Sequence, residues 1–119
     1  MSIRIFLVTV FIFSINAIAA NKEMPHVFEG GDAQKGASMV SSCVACHGND
    51  GNSISSDWPK LAGQNQKYLF DQLRYFKSGE RENILMESVI PILKSYSDED
   101  LLNIAAYYSS NPKTNGQAK

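Results

Sequence analysis

The chain has 119 residues, enough for one domain, and its 11 Lys and Arg against 12 Asp and Glu give a formal net charge of -1. This near balance argues against a nucleic-acid-binding protein, which would carry a basic excess. Hydrophobic residues make up 44% and charged residues 19%, the balance of a globular rather than a disordered chain. With only two cysteines, the chain is not a disulfide-rich scaffold.

The first twenty residues have the order of a secretory signal peptide. Arg4 precedes an almost wholly apolar run from Ile5 to Ile15, and small residues follow as far as Ala20. A bilayer span takes roughly 20 residues, more than this run provides. We therefore predict export after cleavage behind Ala19 or Ala20, with an uncleaved N-terminal anchor as the alternative.

The remaining chain divides into an N-terminal arm at residues 21–31, one helical domain at 32–110 and a flexible tail at 111–119. Capping residues and apolar periodicity predict its helices, and the apolar segment around Pro91 predicts a short helix or turn whose boundaries the pattern does not place. The expected fold is all-α, with three or four helices and long loops. The three placed helices are Ala33 to about Ser42 after Asp32, Gln66 to Ser78 between Asn65 and Gly79, and a last helix from Ser97 to about Ser109.

Cys43-Val44-Ala45-Cys46-His47 has the C-x-x-C-H spacing of c-type haem attachment. Two thiols three residues apart on a helical segment can reach the two vinyl groups of one porphyrin, and the adjacent imidazole can project toward the iron. Small exported domains often need a disulfide, a metal or a cofactor for stability. The long loops of this small domain are also reasonable for a chain wrapped around a large rigid cofactor.

Three other uses of the two cysteines remain open. A thioredoxin-like thiol pair would need a βαβ pattern, which the flanking sequence does not show. A disulfide between Cys43 and Cys46 would close a very short loop and stabilise the protein little. A zinc site would need ligands beyond His47, and His26 is the only other histidine.

Residues 31–110 resemble class I c-type cytochromes, specifically the small bacterial cytochrome c-553-like and c4-like group. The resemblance implies the cytochrome c fold around one covalently attached haem c, with Cys43 and Cys46 as its thioether anchors. It also implies that the first and last helices cross, with Gly36 against Tyr107 or Tyr108. The motifs that carry it are Gly31-Asp32-Ala33-Gln34-Lys35-Gly36, Cys46-His47-Gly48-Asn49-Asp50-Gly51-Asn52, Pro59-Lys60-Leu61-Ala62-Gly63-Gln64, Tyr68-Leu69 with Gln72-Leu73, and Ser97-Asp98-Glu99-Asp100-Leu101 with Ile104-Ala105-Ala106-Tyr107-Tyr108.

The resemblance further implies two axial iron ligands, His47 and Met86, and a Pro59 carbonyl that accepts a hydrogen bond from His47 Nδ1. Met86 follows an R-x-N-x-x-M pattern, but the gap from it to Ser97 is about three residues longer than in the family. The usual gap would end at Val89, which cannot bind iron. We expect Met86 to be the ligand, followed by a three-residue insertion near the proline; the alternative is that Met86 only fills the core. The alternative that Pro59 is an ordinary loop residue also remains open.

A His/Met pair fills both axial positions and leaves no site for a substrate, so the predicted function is one-electron transfer and not catalysis. The expected partners are transient redox proteins, periplasmic or membrane-bound, with no nucleic acid. The membrane is involved only through partner complexes or an uncleaved anchor. Two alternatives stand beside this: a five-coordinate haem that binds a small gas or peroxide, and the electron-entry subunit of a larger oxidoreductase.

Overall fold

The computed structural model describes residues 30–115, and this part of the chain contains helices and no strand. The predicted signal peptide at residues 1–20 and all of the arm before Gly30 lie outside the described residues. Within residues 30–115, no helix has the length and apolar character needed to cross a bilayer. The predicted all-α class is confirmed. The elements are α1 (Ala33–Ala37), α2 (Val44–His47), α3 (Gln66–Ser78), a 3-10 helix (Ile84–Val89), α4 (Ile90–Ser95) and α5 (Asp98–Ser110).

The two long helices, α3 and α5, begin and end close to where their caps predict. The Asn65 side chain accepts a hydrogen bond from the Tyr68 backbone N–H, and Gly79 ends α3 in the left-handed region at φ 84°. At the start of α5, Ser97 and Asp100 form a reciprocal capping box. Local sequence is therefore sufficient to define these two helices.

The prediction that the first helix reaches Ser42 is wrong, because α1 ends at Ala37. The Ser38 hydroxyl donates to the Lys35 carbonyl at 2.7 Å, a local bond that competes with continuation of the helical ladder. The chain then turns, buries Val40 in the core and resumes as the four-residue α2. The break separates the helix that crosses α5 from the one that carries the C-x-x-C-H motif.

The segment around Pro91 is helical throughout. The 3-10 helix runs directly into α4, and Pro91 lies in the first turn of α4, where its missing N–H leaves no hydrogen bond unmade. The Asn83 side chain caps the 3-10 helix by accepting from the Leu85 N–H at 2.9 Å. The sequence predicted a short element here, and the structure places its boundaries.

Helices α1 and α5 cross at Gly36, where their backbones touch. A Cβ on Gly36 would lie 2.0 Å from the Asn103 carbonyl oxygen and 2.9 Å from Tyr107 Cβ, so only glycine fits. The aromatic neighbour at the crossing is thus Tyr107, whereas Tyr108 is buried on the core side of α5. Asn103 also accepts from the Asp32 N–H at 2.7 Å, which fixes the entry to α1. The core beside this crossing is formed by Val40, Leu69, Phe76, Leu93, Leu101, Ile104, Ala105 and Tyr108.

The residues that follow α5 are hydrogen-bonded across the loop that follows α2. Asn52 Nδ2 donates to the Pro112 carbonyl at 3.0 Å, and Asn52 Oδ1 accepts from the Thr114 N–H at 2.9 Å. Asn111 Nδ2 donates to the Asp50 carbonyl at 3.0 Å. The Asp50 carboxylate in turn accepts from the Asn52 N–H and side-chain amide. These bonds tie the beginning of the loop after α2 to the chain that follows α5.

We expect Gly36→Ala to lower the free energy of unfolding by about 2 kcal/mol or more, because the backbone of α5 would have to move away from α1. The matched control is Ala37→Ser, an exposed change on the same helix, which should stay within about 0.5 kcal/mol. Denaturant unfolding of the two variants measures both values. Equal stabilities of the two variants would contradict the close crossing.

We expect the stability difference between wild type and Asp50→Asn to depend on pH. Hydrogen bonds from Asn52, with a smaller contribution from Lys60, hold the pKa of Asp50 below its ordinary value of 3.8. A carboxylate of this kind stabilises the folded state above its unfolded pKa, and the stabilisation disappears as pH falls through the lowered folded pKa. Because Asp50 is exposed, the wild-type advantage at neutral pH should be only a few tenths of a kcal/mol.

Unfolding followed from pH 7 down to acid measures the pH dependence of Asp50→Asn. The control is the same substitution in an Asn52→Ala background, where the side-chain donor is gone and the difference should shrink. A wild-type advantage that stays constant down to the lowest pH would contradict the role of the Asp50 charge.

Candidate functional site

One cavity of about 360 Å³ lies between α2, the following loop, α3, the 3-10 helix and α5. Its walls are largely apolar side chains. All five of the site residues predicted from the sequence line it: Cys43, Cys46, His47, Pro59 and Met86. The structure thus brings together residues that are up to 43 positions apart in the chain.

Cys43 and Cys46 are both unpaired and partly buried at this cavity, so they do not form a disulfide. Burial raises the pKa of the Cys43 thiol, which is the reverse of the lowered pKa that makes a cysteine a redox nucleophile. Within the described part of the chain, no group of three His, Cys, Asp or Glu side chains gathers that could hold a metal ion. These observations disfavour the disulfide, thioredoxin-like and zinc alternatives.

His47 is the last residue of α2 and is buried, with its Nδ1 at 2.8 Å from the Pro59 carbonyl oxygen. A carbonyl can only accept, so Nδ1 carries the proton and donates it. The lone pair of the imidazole therefore lies on Nε2, the nitrogen left for a metal. Among residues 30–115, Nε2 has no hydrogen-bond partner.

Pro59 reaches His47 because the loop after α2 folds back on itself at Gly51. The Gly51 carbonyl accepts from the Leu61 and Ala62 N–H groups at 2.8 and 3.1 Å. Gly51 has φ 86°, and a Cβ there would lie 2.6 Å from Tyr108 Cδ1. The sequence alone does not indicate this contact, since Tyr108 lies 57 positions after Gly51.

Met86 and Val89 lie on the 3-10 helix, and both are half-buried against the cavity. Residues i and i+3 of a 3-10 helix are eclipsed, so these two side chains share one face. Met39, the other described methionine, packs against the core and does not line the cavity. Met24 lies outside the described residues.

Tyr108, predicted as a candidate for the helix crossing at Gly36, instead adds a polar atom to the cavity wall. Its side chain lines the cavity and is 2% exposed, and its hydroxyl has no hydrogen-bond partner within the described part of the chain. The hydroxyl lies near the Cys43 thiol; burial, followed by this neighbour, raises the pKa of Tyr108. Tyr108 therefore places one polar atom beside Cys43 on a largely apolar cavity wall.

The residues present fit an iron porphyrin attached through its vinyl groups. Two unpaired thiols, an imidazole Nε2 with a free lone pair and a methionine thioether all line one cavity with largely apolar walls. Imidazole and thioether are the axial ligands typical of cytochromes c.

Comparison with known proteins agrees with this chemistry. The family model described as cytochrome c matches residues 33–111. Cytochrome c4 of Thiocapsa roseopersicina is 44% identical over 89 residues, covering 74% of this chain and 44% of that protein. Cytochrome c-554(548) of Halomonas halodenitrificans is 40% identical over 80 residues, covering 67% of this chain and 96% of that protein.

The crystal structure of reduced recombinant cytochrome c4 from Pseudomonas stutzeri superposes with a TM-score of 0.67 at 41% identity. The match covers 76% of this chain and 50% of that one. The chain thus spans about half the length of the cytochromes c4 that it matches. It belongs to the cytochrome c family, has the cytochrome c fold and binds haem c covalently.

Proposed function

We propose that this chain is a monohaem c-type cytochrome that carries single electrons between redox partners in the bacterial periplasm. The observation that carries the proposal is the convergence of His47 and Met86 on the cavity that both cysteines line. Two axial ligands from the protein leave the iron no open position for a substrate. That arrangement supports an electron carrier without catalysis of its own.

In this proposal Cys43 and Cys46 form the two thioether links, and His47 Nε2 and Met86 sulfur are the axial iron ligands. The bound haem supplies a one-electron Fe(III)/Fe(II) couple, and a thioether ligand favours the ferrous state. The Pro59 carbonyl holds the His47 ring in one orientation and increases its donor strength through the Nδ1–H bond. Buried side chains such as Leu69 and Ile104 line the cavity and keep it apolar.

The spacing of Met86 from Ser97 is compatible with this role. The gap typical of the family would end at Val89, three residues after Met86. Since the two positions are eclipsed on the 3-10 helix and both line the cavity, a three-residue insertion returns the methionine to the same face.

A transient partner could dock at the rim of the cavity, next to the Met86 segment. Leu85 lines the cavity and is 54% exposed, and the adjacent Ile84 is 79% exposed. A small apolar patch of this kind suits brief encounters that bury little area. The periplasmic location is supported by the signal-like pattern of residues 1–20 and by the covalent attachment of the cofactor.

We expect Met86→Ala to remove the weak long-wavelength absorption band that marks Met-coordinated ferric haem. The reduction potential should fall by on the order of 100 mV, within the roughly 0.8 V over which axial ligands set haem potentials. The matched control is Met39→Leu, since Met39 packs against the core away from the cavity. This variant should keep both the band and the potential.

Optical spectra and redox titration of the purified holoproteins measure both effects. A wild-type protein that lacks the band and binds CO rapidly when ferrous would contradict the proposed ligand set. It would support instead a five-coordinate haem that binds small gases.

A further inference from the structure

We propose that Arg81 is a positioning residue that ties the segment carrying Met86 to the end of α3 and so keeps Met86 at the cavity. This inference rests on the proposed function, in which Met86 binds the iron. It concerns a residue that makes no contact with the iron.

Arg81 makes three separate contacts with the last turns of α3. Its Nη1 donates to Gln72 Oε1 at 2.6 Å, and its backbone N–H donates to the Tyr75 carbonyl at 3.1 Å. Its guanidinium carbon lies 4.7 Å from the centroid of the Phe76 ring. Since positions 72, 75 and 76 lie on one side of the helix, a single arginine spans that side.

Between Arg81 and Met86, the protein provides few other contacts that attach the chain to a neighbouring element. Residues 80–85 are all exposed, with Ile84 79% exposed. Asn83 supplies the local bonds: its carbonyl accepts from the Met86 N–H and its side chain from the Leu85 N–H, both at 2.9 Å. These bonds shape the turn but do not attach it to another element. Arg81, Asn83 and Leu85 also line the cavity. Among the contacts made by the protein itself, those of Arg81 are therefore the ones that attach this segment to α3, and losing them should let it open more easily.

The combined hydrogen bond and ring contact of residue 81 require an arginine side chain. A planar guanidinium can lie over an aromatic ring and donate in its own plane to an amide oxygen at the same time. A lysine ammonium would retain the charge and lose this combined geometry. Arg81→Lys therefore separates positioning from a simple charge effect on the haem.

The test uses ferric holoprotein and imidazole as an added ligand that must displace Met86 from the iron. Apparent affinity for such a ligand rises with the fraction of molecules in which Met86 is detached. For Arg81→Gln and Arg81→Lys we expect about 3- to 10-fold tighter imidazole binding, the effect of losing one hydrogen bond and one cation–π contact. Hydrogen exchange of the Met86 amide should accelerate by a similar factor.

The matched control is Arg74→Gln, because Arg74 also lies over a ring of α3, 5.5 Å from the Phe70 centroid, but does not line the cavity. Its imidazole affinity should stay within about twofold of wild type, well below the effect expected for Arg81. Unchanged imidazole affinity in Arg81→Gln, or full recovery in Arg81→Lys, would overturn the positioning role.

The long-wavelength band of the wild type distinguishes failure of this inference from failure of the proposed function. If the wild type shows the band and the Arg81 variants bind imidazole with wild-type affinity, the positioning role of Arg81 is wrong and the proposed axial ligands stand. If the wild type lacks the band, the proposed ligand set fails, and with it any role of Arg81 in holding Met86 on the iron.

Discussion

Filling one cavity is the constraint on which the rest of this structure depends. At about 24 cal/mol per Å³, a closed and unfilled space of about 360 Å³ would cost on the order of 9 kcal/mol. This is comparable with the whole stability of a typical domain, about 5–15 kcal/mol, and is an upper bound because the cavity opens to solvent. The buried side chains of α3 and α5 line the cavity on one side, so the apolar core is completed only by a large rigid group. Covalent attachment makes that group a permanent part of the core.

The surrounding elements have the positions that such a cavity requires. The backbone contact at Gly36 brings α1 against α5, and a short turn then leads into the C-x-x-C-H helix. The bond from His47 Nδ1 to the Pro59 carbonyl joins that helix to the following loop. The hydrogen bonds of Asn52 with Pro112 and Thr114 then tie the same loop to the chain that follows α5. Loops that are long for so small a domain are thereby ordered around one site.

The features predicted from the sequence are those encoded by neighbouring residues. Asn65 and Ser97 cap their own helices within a few residues, and the C-x-x-C-H motif is contiguous, so each can be recognised without the fold. The end of α1 was mispredicted because the Ser38 hydroxyl bond is not visible in apolar periodicity. The two partners that tie Asn52 to the chain after α5, Pro112 and Thr114, lie 60 or more positions away, and no local pattern indicates them.

Covalent attachment of the haem gives one measurable product. Digestion of the exported protein with trypsin should yield a fragment of residues 36–60, which contains both cysteines and no internal Lys or Arg. Its mass should exceed that of the bare peptide by one haem, and neither cysteine should react with iodoacetamide. A fragment of unmodified mass with two alkylatable thiols would contradict the account.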